Sequence, residues 1–287
     1  MVTLPIEGRW GLRALREADR SEVLRFLDDE RLMNLYLISR VHDEGLRDTQ
    51  FVGVRWNGDL VAVASLASNV VVAVAPSADD VTRATILTLL ADHILTRGIV
   101  VRAIISEGRL VDGLWRLLER RIDPPTVVRL RQPVYALTRL AGDLPDLSRI
   151  RYSEIGDLDQ LVPACAAMHR EEVGIDPMVR DAAGYRERIR DLIVRQRSLV
   201  LVERGEIVFK TEFSAVTPYA VQLMGVWTAP RHRRQGKARL ALREICGHLL
   251  GRGQAVTLFV NDFNTAAIDL YESLGFVRIG ENRALLW

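Results

Sequence analysis

Near its C-terminal end the chain reads PRHRRQGKARLAL, with Gly236 set among Arg231, Arg233, Arg234, Lys237 and Arg239. Such a stretch suits three kinds of chemistry: a solvated charge run, a nucleic-acid patch, or a cradle for a phosphate. Its neighbours help to choose among them. The run LMGVWT before it reads as a strand with apolar Leu223, Val226 and Trp227, and Pro230 ends that strand because proline cannot continue a ladder. After Gly236, Leu242, Ile245, Cys246 and Leu249 recur at helical spacing. The cations therefore join a strand to a helix N-terminus, where unpaired N–H groups and the positive end of the helix dipole favour an anion. Gly236 lets a ligand come close to the backbone, and Ala238 keeps the next position small. A pyrophosphate fits there. The loop holds no aromatic residue on which a base could stack, which disfavours nucleic acid.

The elements around this loop fall into two similar series. The first has a strand in WGLRALREAD, a helix over 21–41, and strands in FVGVRWNG, DLVAVASLAS and NVVVAVAP. Asn57-Gly58 marks a tight hairpin between the first two of those strands. A helix over 81–96, a strand in IVVRAIIS, a helix over 114–121 and a strand in VVRLRQPVYALTRL complete the series. The second series repeats that order from RIRYSEIGD onward, with a helix over 158–172, a loop at Pro177 and a further helix. It continues through three strands to the basic loop, a helix, the strand AVTLFVN, the helix of TAAIDLYESLG and a last strand. Residues 141–149, AGDLPDLSR, read as the linker. The expectation is a mixed α/β chain with residues 1–140 and 150–287 as tandem copies of one fold.

Composition narrows the class. The 287 residues carry 39 Lys+Arg against 37 Asp+Glu, a net charge of only +2, where a globally basic nucleic-acid binder has a larger excess. Two cysteines, Cys165 and Cys246, give neither a disulfide framework nor a metal spacing, and both lie in apolar helical runs as packing thiols. No metal is expected. The first residues lack the apolar core of a secretory signal, and no run is apolar enough to span a membrane. A cytoplasmic location is the expectation; the sequence leaves the oligomeric state open.

The loop and the block after it resemble the GNAT superfamily of acetyl-CoA-dependent N-acetyltransferases. RRQGKA matches the family's Arg/Gln-x-x-Gly-x-Gly/Ala loop at Arg233, Gly236 and Ala238. NTAAIDLYESLGF matches the block that follows it, at Asn264, Ala267, Leu270, Tyr271, Gly275 and Phe276. The resemblance implies a tandem GNAT (acyl-CoA N-acyltransferase) fold with acetyl-CoA as co-substrate and an amine of a small molecule, peptide or protein as acceptor. It implies that N–H groups from Arg234, Gln235, Gly236, Lys237, Ala238 and Arg239 hold the pyrophosphate. Val226, seven residues before Arg233, would donate its N–H to the thioester oxygen, with Trp227 beside the site and Thr228 bonding the pantetheine arm. Asn264 would touch that arm, fix the loop or cap a helix. Tyr271 would be the general acid, its phenol pKa near 10 suiting a leaving thiolate.

No base is apparent from the resemblance. The place at which some family members carry a glutamate, eleven residues before Arg233, holds Gln222. Glu212 on the preceding strand is the candidate taken forward, with Glu171, Glu172 and His169 as others near the end of a helix. An acceptor that loses its proton to water needs none. A non-catalytic acyl-CoA sensor or scaffold stays open as the alternative. In the first series, VAPSADDV puts Asp79 and Asp80 where the pyrophosphate loop should be, so that half reads as a degenerate unit without a coenzyme loop. The architecture is similar to that of the mycothiol synthases, with no residue that carries their substrate over.

Overall fold

The computed structural model of the chain describes residues 8–46, 50–67 and 69–287. Residues 1–7, within the stretch without a leader pattern, and Ser68, at the end of DLVAVASLAS, lie outside the described residues. The described residues form two compact units, neither of them a single run of chain. The first takes the residues through Val134 together with Phe259–Phe263 and Ile279–Trp287; the second takes Tyr135–Leu258 with Asn264–Arg278. The boundaries at 140 and 150 thus describe the order of elements, whereas packing draws two late segments into the first unit.

The first unit contains β1 (Trp10–Ala14), α1 (Arg20–Asp28), α2 (Leu35–Glu44), β2 (Phe51–Trp56), β3 (Asp59–Leu66), β4 (Asn69–Val74), α3 (Asp80–Thr96), β5 (Ala103–Glu107) and α4 (Gly108–Leu118). β6 (Val127–Leu137) begins in this unit and ends in the second. Strands β1 to β4 run antiparallel in sequence order, and β5 joins β4 in parallel. The β2–β3 hairpin turns on Asn57 and Gly58, both left-handed (φ 49° and 99°), as an Asn-Gly pair in a two-residue loop requires. The helix expected over 21–41 is in fact two. Asn34 turns its side-chain amide back to donate to the Leu27 carbonyl at 3.0 Å, which ends α1 and lets α2 start afresh.

The second unit contains β7 (Ile150–Tyr152), α5 (Leu158–Val173), α6 (Pro177–Val194), β8 (Ser198–Glu203), β9 (Glu206–Val216), β10 (Ala220–Thr228), α7 (Lys237–Gly251), β11 (Ala255–Phe259, except its last residue) and α8 (Thr265–Ser273). Strands β7 to β10 are antiparallel neighbours and β11 joins β10 in parallel, the pattern of the first unit again. Pro177, expected in a loop, is the first residue of α6; its fixed φ suits that place, and Asp176 caps the helix by accepting from the Met178 N–H at 2.9 Å. Leu158, Leu161, Val162, Ile189 and Ile193 of α5 and α6 bury their faces against Val200 and Ile207 of the sheet. The last strand, β12 (Val277–Leu286), crosses from the second unit to the first. There it pairs antiparallel with β5, Asn282 opposite Glu107, and sends Leu285 into the core under α3 and α4.

The stretch 141–149 lies along α7. Buried Glu244 accepts from the main-chain N–H groups of Ser148 and Arg149 at 2.9 Å, from Ile150 at 3.2 Å, and from the Ser148 hydroxyl at 2.9 Å. Burial alone would raise this carboxyl's pKa, but the donors outweigh it and hold the pKa below its ordinary value. A depressed carboxylate contributes stability above its unfolded pKa and loses it as pH falls through the folded one. Glu244→Gln should therefore cost about 2 kcal/mol in urea unfolding at pH 7, because an amide turns donors toward donors. The difference from wild type should shrink as pH drops below about 4.3, the ordinary glutamate value.

Candidate functional site

β10 keeps β11 as partner only from Ala220 to Gln222, opposite Ala255 to Thr257. It then runs on to Thr228 without it. Two register slips against β9 accompany this parting. Ser214 is the extra residue of the first, and its hydroxyl donates to the Gln222 side-chain oxygen at 3.0 Å. In the second, Gly225 and Val226 of β10 stand opposite Thr211 alone, and the Thr211 hydroxyl donates to the Met224 carbonyl at 3.1 Å. Gly225 is left-handed (φ 62°), and a Cβ there would lie 2.9 Å from Lys210 Nζ and 3.1 Å from Met168 Sδ. Only glycine fits this bulge.

Beyond Thr228 the basic loop turns through left-handed Arg234 (φ 60°) and Gly236 (φ 75°) into α7. Gly236 is the helix N-cap and has no side chain with which to cap. The first bond of the helix runs from Leu240 N–H to the Gly236 carbonyl, so the N–H groups of Lys237, Ala238 and Arg239 precede its ladder. A Cβ on Gly236 would meet nothing within 4 Å. Pyrophosphate of coenzyme A fits such a cradle by its chemistry: backbone donors, a helix dipole and room. The side-chain charge is more restrained than the sequence suggests. Arg231 pairs with Glu206, Lys237 with Glu203, and Arg233 Nη2 with Glu171 at 2.6 Å. The Arg234 and Arg239 side chains are exposed.

The carboxylate of Glu171, near the end of α5, also accepts from Trp227 Nε1 at 3.3 Å, while Arg233 Nε donates to the Thr228 carbonyl at 3.0 Å. Residues from α5, β10 and the loop thus meet at one carboxylate. Gln235 donates to the Arg231 carbonyl at 2.9 Å and braces the loop from within. Asn264 caps α8: its side-chain oxygen accepts from the Ala267 N–H at 3.3 Å. Tyr271, on α8, is buried with its ring 5.8 Å from that of Phe276. Burial, with the charge of Glu172 adding to it, holds its phenol above the ordinary value, so the proton is in place at neutral pH. His169 Nδ1 lies 2.9 Å from the Ile175 carbonyl.

Glu212 differs from a free base. Its side chain is 2% exposed and its Oε1 lies 2.8 Å from Nζ of Lys210, which is 0% exposed. Burial alone would raise the carboxyl's pKa, but the ammonium outweighs it and holds Glu212 below its ordinary value. Cys165 Sγ donates to the same oxygen at 3.3 Å, its own pKa pushed up to about 12 by burial. A carboxylate held ionised by a buried cation has little affinity for a proton. Sequence reading missed this pairing because Lys210 and Glu212, two residues apart, look like the polar side of a half-exposed strand.

The first unit has closed the equivalent features. β4 also leaves its parallel partner early, after Asn69 and Val70. Val72 stands four residues before Pro76, as Val226 stands four before Pro230, and its N–H donates to buried Ser106 Oγ at 2.8 Å. No described side chain caps Val226 in this way. At the start of α3, Asp79 accepts from the Thr82 N–H at 2.8 Å, which holds that carboxyl below its ordinary pKa and places a negative charge where a phosphate would come.

The family model described as FR47-like protein matches residues 213–285. No curated protein matches the chain. Among solved structures, a GCN5-related N-acetyltransferase from Sphaerobacter thermophilus is similar at 19% identity and TM-score 0.61, covering 98% of this chain and 96% of its own. A GNAT-family acetyltransferase from Colwellia psychrerythraea follows at 14% and 0.54, covering 97% and 100%. A tandem GNAT protein from the clavulanic acid biosynthesis pathway is similar at 13% and 0.52, covering 97% and 98%. The chain has a tandem GNAT fold. At these identities the likeness is one of fold, and in this fold the parted strand of each unit is β4 or β10. Among the described residues no helix is long and apolar enough to cross a membrane, and no cluster of three or more His, Cys, Asp or Glu could hold a metal ion.

The bulge in the tandem GNAT fold's second unit makes a direct test of its geometry. Gly225→Ala forces a Cβ into a left-handed residue and against Lys210. It should lower stability by about 2 kcal/mol in chemical denaturation. A change below about 0.5 kcal/mol would mean that the strand runs without the bulge.

Proposed function

We propose that the second unit is an acetyl-CoA-dependent N-acetyltransferase and that the first unit does not bind the coenzyme. The observation that carries this reading is that one strand, β10, both parts from its neighbour and ends at an uncapped helix start. Acetyl-CoA, when bound, supplies an activated acetyl thioester. The N–H groups from Arg234 to Arg239 hold its pyrophosphate, with the helix dipole favouring the charge. Val226, in the bulge, offers its N–H to the thioester oxygen, on which charge develops during attack by the amine. Tyr271 enters with its proton and gives it to the leaving thiolate. Asn264 and Ala267 shape the start of α8, and Trp227 and Thr228 form the end of the strand that the pantetheine follows.

Glu212 is replaced in this reading as base, because Lys210 already holds its charge. The acceptor, an amine of a small molecule or of a peptide or protein, gives its proton to water. Two buried, unpaired thiols accord with a reducing, cytoplasmic setting. The locked Glu212 and the tied Gln222 favour one rival, an acyl-CoA sensor without turnover.

Calorimetry with coenzyme A should give about one site per chain, and Gly236→Asp should abolish it by filling and charging the loop. Two sites, or unchanged binding in the variant, would show that the assignment is wrong. Thiol release from acetyl-CoA across a panel of primary amines separates the enzyme from the sensor, since only an enzyme turns over.

Tyr271→Phe keeps the ring and its packing. Its kcat should fall roughly 10²–10⁴-fold with KM for acetyl-CoA nearly unchanged, the signature of a group acting in the transition state. A folded variant with full kcat would make the phenol a packing group only.

A further inference from the structure

The most unusual side chains in the second unit are the buried ion pair. Lys210 is fully buried and Glu212 nearly so, with Nζ and Oε1 2.8 Å apart. Taking two ions out of water costs several kcal/mol each, and well-packed apolar residues in the same space are often as stable or more so. Stability alone therefore gives little reason for the pair to be there.

Its position gives a better one. Lys210 is the register partner of Trp227 and Glu212 that of Met224, so the pair flanks the bulge from the facing strand. The residue between them, Thr211, stands opposite Gly225 and Val226 and holds the Met224 carbonyl with its hydroxyl. Lys210 Nζ occupies the space beside Gly225 that a side chain would fill. Around the pair stand Cys165, which donates to Glu212 Oε1, and Arg188, whose Nη2 is 3.9 Å from Oε2. Tyr185 lies on the same side, with Arg188 6.0 Å from its ring centre.

We propose that Lys210 and Glu212 are positioning residues: together they hold the bulge so that Val226 presents its N–H to the acetyl group, and the ammonium sets a positive charge beside that peptide. This rests on the acetyl-CoA reading given above. The two side chains of β9 share one face, and a slip of β9 by one residue would turn both charges to the other face of the sheet, away from Cys165 and Arg188. The bulge opposite is then fixed in register as well. The pair carries no net charge, but its ammonium end is the one beside Gly225, and a dipole fixed in a site of low dielectric needs no reorganisation when charge develops. The pair acts through Val226 and touches no reacting atom itself.

Binding measures this without an acceptor amine. Acetyl-CoA and coenzyme A share the pyrophosphate contacts and differ at the acetyl oxygen. Wild type should bind acetyl-CoA about 2- to 10-fold more tightly, the worth of one hydrogen bond. Lys210→Met alone leaves a buried carboxylate whose remaining cation, Arg188, stands 3.9 Å away, and is expected to lose the fold along with the function. The double variant K210M/E212L removes both charges at similar volume. It should keep its melting temperature and its affinity for coenzyme A within about 2-fold while losing the preference for acetyl-CoA. A folded double variant that keeps the wild-type preference overturns the proposal, as does a wild type that binds both ligands equally. A wild type that binds neither overturns the acetyl-CoA reading itself.

Discussion

Main-chain hydrogen bonding is obligatory in a protein interior, and β10 forgoes part of it. Past Gln222 the strand has no parallel neighbour, although β11 lies next to it at its start. The features around the bulge keep that gap. The slip at Gly225 and Val226 bends the strand, Thr211 pins the bend by one hydroxyl, and Lys210 fills the space that glycine leaves. The strand ends at Thr228, two residues before Pro230, and the loop delivers the uncapped start of α7 at the same end of the gap. A ladder completed to Thr228 would be more regular and would leave no backbone donors for a ligand.

The two units carry out the same construction with opposite results. Both have a strand that leaves its parallel partner early and both have a helix start just beyond it. In the first unit Ser106 takes the Val72 N–H at the strand, and Asp79 takes the Thr82 N–H at the helix. Each closure takes one short polar side chain.

Much of this was legible because it depends on local rules. Asn57-Gly58 specified its turn, Pro230 its strand end, and Gly236 with the apolar spacing after it the helix start. The two acids of VAPSADDV stand where a coenzyme loop would, and Asp79 caps the helix there. The rest depends on contacts between residues far apart. Asn34 divides a helix by reaching Leu27, which no periodicity records. Glu171 meets Arg233 across 62 positions, so a loop that looked strongly cationic is largely compensated. Lys210 and Glu212 alternate along a strand as exposed charges do, and only the helices packed over that face make them a buried pair. Asn264 and Ala267 matched the expected block, yet their contact with each other is a helix cap, the plainest of the roles open to an asparagine there.

Ile279–Trp287 belong to the first unit, with Asn282 paired to Glu107 and Leu285 in its core. While a ribosome is still making the intervening residues, the nascent first unit has an unpaired edge at β5 and a core that lacks a side chain. An open edge of this kind is a template for pairing with other chains. The ordering of the first unit thus waits until Ile279–Trp287 have been made, and its contacts are among the most non-local in the molecule, which slows folding. The order in which the halves are made is not the order in which they can be finished.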